Sequence, residues 1–322
     1  MTQRSFGIAA LAVLFLAFAL VPFTGNGYII SLFYTSALFT GLAYGWNIIS
    51  GYAGYLSFGQ ITFFGIGAYV VAIGTTRFHL EWCVCALIGG IVCAALAAPM
   101  GWLMLRLKGP FFALGMLGLA QSLRISTDLI PWTGGADGIY LPPGSNAIEV
   151  YYWTLGVVVL AILLTATINR NAFGLRLRAL REDERAAGTL GVDTTATKVK
   201  AFILSAIIPA LLGGAYAWYL TYVEPSSIYS TEIELQTVAM AILGGIGTLW
   251  GPLVGGVLMS QVSQALSTRF PQTHLMIFGA LIVVLLLALP RGIVPTVSDF
   301  LKRRRKTPDS EPAPLAQSEA VT

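Results

Sequence analysis

The chain has 322 residues, of which 56% are hydrophobic and only 11% are charged, and its formal net charge is +4. Soluble domains carry roughly 25% charged residues, so this composition excludes an ordinary soluble protein and indicates many membrane spans. The Lys and Arg residues lie between hydrophobic runs rather than on one exposed face, which argues against a nucleic-acid-binding surface. The three cysteines and two histidines do not have the spacing of a metal site.

Apolar runs of about 20 residues, the length that crosses a bilayer, define the predicted fold. We predict an all-α membrane protein with about ten transmembrane helices, some of them short or broken. One domain then covers residues 1–301, and a basic, disordered tail covers residues 302–322. The predicted spans cover residues 6–23, 28–49, 61–75, 82–105, 110–130, 151–168, 201–222 and 274–289, with two short crossings inside 235–266.

A glycine-rich segment follows the second predicted span. Its residues Gly51, Gly54, Ser57, Gly59 and Gln60 combine backbone freedom with polar side chains. One interpretation is an unwound segment that lines a pathway, since irregular backbone at membrane depth occurs where it meets protein or water. The alternative is that the glycines let helices pack closely.

Two ionisable residues lie inside the fifth predicted span. Arg124 and Asp128 are one turn apart, close enough to pair on one face of a helix. Ionisable groups at membrane depth commonly mark a pathway, and the alternative is a structural pair near the outer boundary. Almost no other ionisable residue is predicted deep in the spans.

One long polar segment, residues 169–200, separates two groups of spans and carries seven basic and four acidic residues. It predicts a short surface helix over about 175–190 that ends at Gly191. Such a helix, with small residues among its charges, suits insertion into a groove of a partner protein, and a solvated loop is the simpler alternative. Three ion pairs are predicted on it: Arg178 with Glu182, Arg181 with Glu184, and Glu182 with Arg185.

A second glycine-rich break lies at residues 244–252, where Gly244, Gly245 and Gly247 precede a further glycine and a proline. It divides the long apolar run and loosely resembles the first break, so an internal duplication is one interpretation whose repeat type stays open. The distribution of Lys and Arg predicts that both termini and the polar segment are cytoplasmic. Glu232 and Glu234 are then among the acids on the outer side.

The sequence contains no Gly-x-x-x-x-Gly-Lys-[Ser/Thr] motif, so ATP binding through a P-loop is not predicted. Energy for any transport is expected to come from another subunit. The chain is therefore predicted to be neither an enzyme nor a holder of its own cofactor.

Several segments resemble, in the same order, the permease subunits of bacterial ATP-binding-cassette importers for branched-chain amino acids, and among these the M-type subunits. The resemblance covers roughly residues 28–293 and is most specific in the polar segment. The segments are GYAGYLSFGQITFFGIGAY, RLKGPFFAL, TGGADGI, GLRLRALREDERAAGTLGVDTTATKVKAFILSA, GGIGTLWGPLVGG and LPRGI.

The resemblance implies a transport subunit of the bacterial inner membrane that moves branched-chain amino acids inward by alternating access. Its implied partners are a second, related permease subunit, two ATPase subunits that hydrolyse ATP, and an extracytoplasmic substrate-binding protein. In this class the loop that docks on the ATPase often carries Glu-Ala-Ala followed by a glycine, and here Arg185 interrupts that pattern. The implied coupling element comprises Arg181, Glu182, Asp183, Glu184, Ala186, Ala187, Leu190 and Gly191.

The candidate pathway residues come from the two breaks and the fifth span: Gly51, Gly54, Ser57, Gly59, Gln60, Arg124, Asp128, Gly244, Gly245 and Gly247. The substrate stays open, because the resemblance also covers importers of urea, short amides or another amino acid. Alternatives from other classes are an ion-driven secondary transporter and a non-transporting membrane subunit.

Overall fold

The computed structural model describes residues 17–144 and 146–305, the last five of them by backbone alone. These residues are helical apart from short connections and one pair of two-residue strands, which confirms the predicted all-α class. In chain order the helices are α1 (Gly27–Trp46), α2 (Gln60–Arg77), α3 (Trp82–Met104), α4 (Pro110–Leu129), α5 (Ala147–Arg170), α6 (Ala172–Glu182), α7 (Glu184–Thr189), α8 (Thr194–Leu220), α9 (Pro225–Ile228), α10 (Thr231–Gly245), α11 (Gly251–Arg269), α12 (His274–Ala288) and α13 (Ile293–Arg305).

Helix α8 lies at the centre of the bundle and packs against α2 and α3 over much of its length. The crossing of α2 and α8 is close because both helices have glycine at the contact. A Cβ atom on Gly67 would lie 2.0 Å from the carbonyl oxygen of Ala210, and one on Gly213 would lie 1.9 Å from that of Phe64. Small residues of this kind let two backbones touch, which is how helices gain contact energy in lipid.

Five helical stretches within the described residues are long and apolar enough to cross a bilayer, judged by length and composition. They are Gly27–Tyr52, Trp82–Met104, Ala147–Arg170, Thr194–Leu220 and His274–Phe300. The long run 235–266 is broken into α10 and α11, as its glycines predict. The count of ten crossings stays a prediction, and the first predicted span lies largely outside the described residues.

Both ends of the bundle carry structured connections. At one end, β1 (Ile139–Tyr140) pairs antiparallel with β2 (Tyr222–Val223). At the other end lie α6 and α7, between α5 and α8. Helix α13 packs against α10 and α11 and continues to Arg305, so the boundary predicted after residue 301 falls inside a helix. The predicted disorder beyond residue 305 concerns residues outside those described.

Candidate functional site

The first break is a change of helix type followed by irregular chain. Beyond Trp46, α1 widens into a π-helical turn, Asn47–Tyr52, and the chain then runs irregularly until α2 starts at Gln60. Short π-helical turns inside α-helices are frequent at functional sites. The irregular chain lies where the sequence predicts an unwound segment.

The two breaks are in direct contact through one asparagine. The Asn47 side chain donates from Nδ2 to the carbonyl oxygen of Thr248, at 3.1 Å, and accepts at Oδ1 from the N–H of Gly247, at 2.8 Å. The hydroxyl of Tyr44 donates to the carbonyl oxygen of Leu249, at 2.8 Å. Side chains of α1 therefore satisfy backbone groups that the second break leaves without helical partners.

Glycine is required at this contact because no side chain fits. A Cβ atom on Gly51 would lie 2.0 Å from Asn47 Oδ1 and 2.7 Å from the backbone nitrogen of Gly247. Gly247 itself has a φ of +72°, which residues with a side chain rarely adopt. These two glycines are thus explained by close packing of the breaks.

The polar segment forms two helices, which corrects the single helix predicted over 175–190. Helix α6 ends at Glu182 and α7 starts at Glu184, with Asp183 in an extended conformation between them. The Asp183 carboxylate accepts hydrogen bonds from the backbone N–H groups of Ala186, at 3.0 Å, and Arg185, at 2.8 Å. These bonds cap α7 and hold the pKa of Asp183 below its ordinary value.

None of the three predicted ion pairs forms within the described residues. Because the chain breaks at Asp183, the helical spacing behind two of these pairs is lost. Arg178, from the third pair, instead donates to the side chain of Asn169. The helix end that the sequence predicts at Gly191 is confirmed. Helix α7 ends at Thr189, Leu190 follows it, and Gly191 then has a φ of +85°.

Arg181 joins the polar segment to both breaks. Its Nη1 atom donates a charge-assisted hydrogen bond of 2.6 Å to the carbonyl oxygen of Gly51. A Cβ atom on Gly247 would lie 2.6 Å from the same nitrogen, and one on Gly54 would lie 2.9 Å from Arg181 Cγ. One guanidinium group therefore contacts the junction of α1 with the second break.

Glu184 forms a second connection, this time to the centre of the bundle. Its Oε1 atom lies 2.6 Å from Nζ of Lys198, which is buried near the start of α8. The Tyr55 hydroxyl donates to Glu184 Oε2 at 2.5 Å, and Lys198 Nζ also donates to the carbonyl oxygen of Leu105 at 3.3 Å. Burial raises the pKa of Glu184, but the bonds from Lys198 and Tyr55 outweigh burial, so the pKa lies below its ordinary value.

Replacing Lys198 with methionine is expected to lower the free energy of unfolding by about 1 to 3 kcal/mol, because Glu184 then stays partly buried without its cation. A double-mutant cycle of Lys198→Met with Glu184→Gln, measured by denaturant unfolding in detergent, gives the coupling between the two groups. Simple additivity of the two substitutions would contradict the pairing.

The same cycle should depend on pH in one direction. Because the pKa of Glu184 is lowered in the folded protein, the stability from its ionisation is complete above the unfolded value of about 4.3 and is lost as pH falls through the folded value. The coupling should therefore stay constant from about pH 5.5 to 8 and decrease below about pH 4.

Most of the remaining coupling residues face outward. Glu182 and Ala186 are exposed, Ala187 is buried beneath them, and the side chain of Leu190 is 84% exposed. Leu190 is thus a single exposed apolar side chain among the charged residues of the polar segment. The segment thus combines an inner face joined to the bundle with an outer face that no other described residue covers.

A cavity of about 710 Å³ lies between the first break, the start of α4 and the polar segment. Tyr55 and Glu184 form part of one wall, and Lys108 and Ala113 form part of the other. Its volume is within the range of about 300 to 1,000 Å³ of typical small-molecule pockets. The site therefore places a cavity beside the groups that connect the polar segment with the breaks.

Three further candidate pathway residues are packed inside the protein. Ser57 and Gln60 are 0% and 2% exposed, and a Cβ atom on Gly59 would lie 2.6 Å from Cε of Met116. The carbonyl oxygen of Ser57 accepts from Trp46 Nε1 at 2.8 Å. Side chains thus supply the hydrogen bonds that the irregular backbone lacks.

Glu234 is a buried acid that the sequence analysis grouped with the outer loops. It is 2% exposed, and its carboxylate accepts hydrogen bonds from the backbone N–H groups of Ile61, at 2.7 Å, and Gln60, at 3.3 Å. These groups begin α2 and have no partner within that helix. The carboxylate therefore caps the restart of the broken helix from across the bundle, where the helix dipole favours a negative charge.

The other predicted pathway residues lie elsewhere. Arg124 and Asp128 are partly exposed on α4 and do not form the predicted ion pair. Gly244 and Gly245 pack against neighbouring chain, since Cβ atoms on them would lie 1.9 Å from the carbonyl oxygen of Gly251 and 2.7 Å from Cδ of Pro295. A role of these four residues in a pathway stays a prediction.

Comparison with known proteins places the chain in a family. The family described as branched-chain amino acid transport system / permease component matches residues 28–286, from the start of α1 into α12. The chain belongs to this family. The match includes both helix breaks and the whole polar segment, so the site described above lies within the family's own region.

Individual relatives cover most of the chain. It is 29% identical to the high-affinity branched-chain amino acid transport system permease protein LivM of Salmonella typhimurium, over 81% of this chain and 68% of the relative. The LivM protein of Escherichia coli is 27% identical, over 95% and 78%. The LivH permease protein of Salmonella typhimurium is 26% identical, over 79% and 90%. No solved structure matches the chain with significance.

Proposed function

We propose that the chain is a transmembrane permease subunit of a bacterial ATP-binding-cassette importer that moves branched-chain amino acids into the cell. The family membership and the named relatives support this function. Its partners are a second, related permease subunit, two ATPase subunits and an extracytoplasmic substrate-binding protein. Both termini and the polar segment are on the cytoplasmic side of the inner membrane, in accord with the positive-inside rule.

One observation carries the mechanism: the exposed polar segment is bonded at two points to the interior of the bundle. Arg181 reaches the first break, and Glu184 reaches Lys198 on the central helix. When the ATPases close on ATP, they move α6 and α7, and these two bonds transmit the movement. The breaks then tilt against α8, which alternates access to the pathway.

In this mechanism the permease subunit forms the pathway and transmits movement, and it catalyses no reaction. ATP is bound and hydrolysed by the partner subunits, and this chain binds no cofactor directly. The 710 Å³ cavity beside Tyr55 and Glu184 is the cytoplasmic exit of the pathway, because it lies on the side of the polar segment. Closure of the ATPases changes the shape of this exit as α7 moves.

The complete importer in proteoliposomes tests this function. With the binding protein on one side and ATP on the other, labelled leucine should accumulate, and accumulation should stop when the ATPase subunits or ATP are omitted. Uptake that continues without ATPases and collapses with the ion gradient would identify a secondary transporter. Uptake unaffected by omission of this chain would identify a non-transporting subunit.

Substrate choice is tested in the same vesicles by competition. Excess unlabelled leucine, isoleucine or valine should suppress uptake of labelled leucine, whereas urea and acetamide should not. Suppression by urea or acetamide instead would favour the alternative substrate classes.

Replacing Leu190 with glutamate should weaken retention of the ATPase subunits during purification by roughly tenfold or more, because a charge enters the exposed outer face of the polar segment, which is the proposed docking face for the ATPases. The chain should fold normally, since this side chain is 84% exposed. The control is Tyr140→Glu, a change at a side chain 75% exposed at the far end of the bundle. Equal retention of the ATPases by both variants would remove Leu190 from the docking face.

A further inference from the structure

A polar cavity lies in the half of the bundle away from the polar segment. It has a volume of about 160 Å³ and lies between α1, α10, α11 and the start of α12. On α1 its wall includes Thr35, which is about 16 Å along the helix from Trp46, where the first break begins, at about 1.5 Å per residue. The cavity is thus separate from the breaks and from the cytoplasmic cavity.

The wall contributed by α11 is unusual for a membrane helix. Counting from Ser260, the residues Ser263, Gln264 and Ser267 follow at three, four and seven positions, so the four form one polar stripe facing the cavity. An uncovered polar group in hydrocarbon costs several kcal/mol, so this stripe faces water or protein rather than lipid. The volume has room for about five waters at roughly 30 Å³ each, so it is large enough to be hydrated.

Two ionisable groups flank the stripe. The Oε1 atom of Glu232 accepts a hydrogen bond of 3.0 Å from Gln236 Nε2, and its Oε2 atom has no hydrogen-bond partner among the described residues. The Nδ1 atom of His274 lies 2.9 Å from the carbonyl oxygen of Pro271 and so carries a hydrogen, which leaves Nε2 available. The cavity thus offers a carboxylate at one position and hydroxyl, amide and imidazole groups at others.

This set of groups matches the polar end of a free amino acid. An ammonium group is best bound by a carboxylate with a free oxygen, as Glu232 provides. A carboxylate is bound by hydroxyl and amide donors, as Ser263, Gln264 and Ser267 provide. The ring of Phe39, also in the wall, supplies an apolar surface for an aliphatic side chain.

We propose that this cavity is a binding site for the ammonium and carboxylate groups of the transported amino acid, on its way from the binding protein to the breaks. The proposal rests on the proposed importer function and adds to it a named stripe of residues. Glu232 binds the ammonium group, and the polar face of α11 binds the carboxylate.

Thiol labelling in the complete importer tests the hydrated stripe. Cys83, Cys85 and Cys93 are first replaced by alanine, and Ser263→Cys or Gln264→Cys is introduced. A membrane-impermeant maleimide added from outside should label either new cysteine, and leucine-loaded binding protein should slow the labelling. The control is Leu258→Cys on the same helix but outside the cavity wall, where leucine should not change labelling.

Two labelling results would overturn the proposal. If leucine-loaded binding protein does not slow the labelling of Ser263→Cys, the stripe is open to water but does not bind the transported amino acid. Labelling of the isolated chain that disappears in the assembled importer would mean that the second permease subunit covers the stripe.

Transport kinetics test Glu232 separately. Glu232→Gln should raise KM for leucine roughly tenfold with kcat nearly unchanged, and Glu232→Asp should restore part of the loss. The unmodified importer is measured first, because absence of ATP-driven leucine uptake there refutes the importer function itself. Normal uptake by the unmodified importer together with an unchanged KM in Glu232→Gln refutes only the binding site.

Discussion

Replacing Glu234 with alanine is expected to lower the free energy of unfolding by about 2 to 6 kcal/mol, because two buried N–H groups lose their acceptor at about 1 to 3 kcal/mol each. These are the groups of Gln60 and Ile61 at the restart of α2. They lie inside the bundle, where neither water nor another helical turn replaces the carboxylate. Glu234→Gln keeps one acceptor oxygen and should lose about half as much.

Denaturant unfolding in detergent measures this loss, and Glu232→Ala on the same helix is the matched control. Glu232 is exposed, so its removal should change stability by less than about 0.5 kcal/mol. Alanine variants of Glu234 and Glu232 with equal stability would show that the cap does not hold α2. ATP-driven uptake should decrease in parallel with stability. It should be highest in the unmodified chain, lower in Glu234→Gln and lowest in Glu234→Ala.

Replacing Arg181 with alanine should reduce ATP-driven leucine uptake roughly tenfold or more while the ATPase subunits still co-purify. A tenfold loss corresponds to about 1.4 kcal/mol of coupling free energy. The guanidinium bonds Gly51 from the inner face of the polar segment, whereas the docking face around Leu190 points outward. Removal of Arg181 therefore leaves the docking of the ATPases intact but removes the hydrogen bond that joins the polar segment to the first break. Stimulation of ATP hydrolysis by loaded binding protein should fall in parallel.

Two comparisons sharpen this test. Arg181→Lys keeps the charge and one donor, so it should restore part of the uptake. Arg178→Ala removes an arginine of the same helix whose hydrogen bonds, among the described residues, go to Asn169 rather than to either break, and it should transport normally. Equal uptake by the Arg181→Ala and Arg178→Ala variants would exclude a special role of the bond to Gly51.

The helices and breaks could be predicted from the sequence because they depend on local features. Apolar runs of fixed length predict the helices, and clustered glycines predict both breaks. The course of the polar segment was predicted less well. Its charges favour one helix with internal ion pairs, but Asp183 caps a second helix, and Glu184 pairs with Lys198 instead.

The residues that join distant parts of the chain were missed for a physical reason. Asn47 and Glu234 act on partners about 200 and 174 positions away, and no local pattern encodes such a distance. The sequence shows that α2 restarts after a glycine-rich break and that a negative group is favourable at its first turn, but it does not show which acid lies there. Asn47 gave no signal beyond being a polar residue at the end of an apolar span.

The bonds of Asn47 restrict how this protein can move. Bending α1 at its π-helical turn alone would break two hydrogen bonds to residues 247–248 inside the protein, at about 1 to 3 kcal/mol for each group left unpaired. Tilting α1 together with α10 and α11 leaves both bonds intact. The low-energy motion is therefore rotation of a rigid block drawn from both halves of the sequence, and this block includes α2, because the Glu234 carboxylate joins α2 to α10.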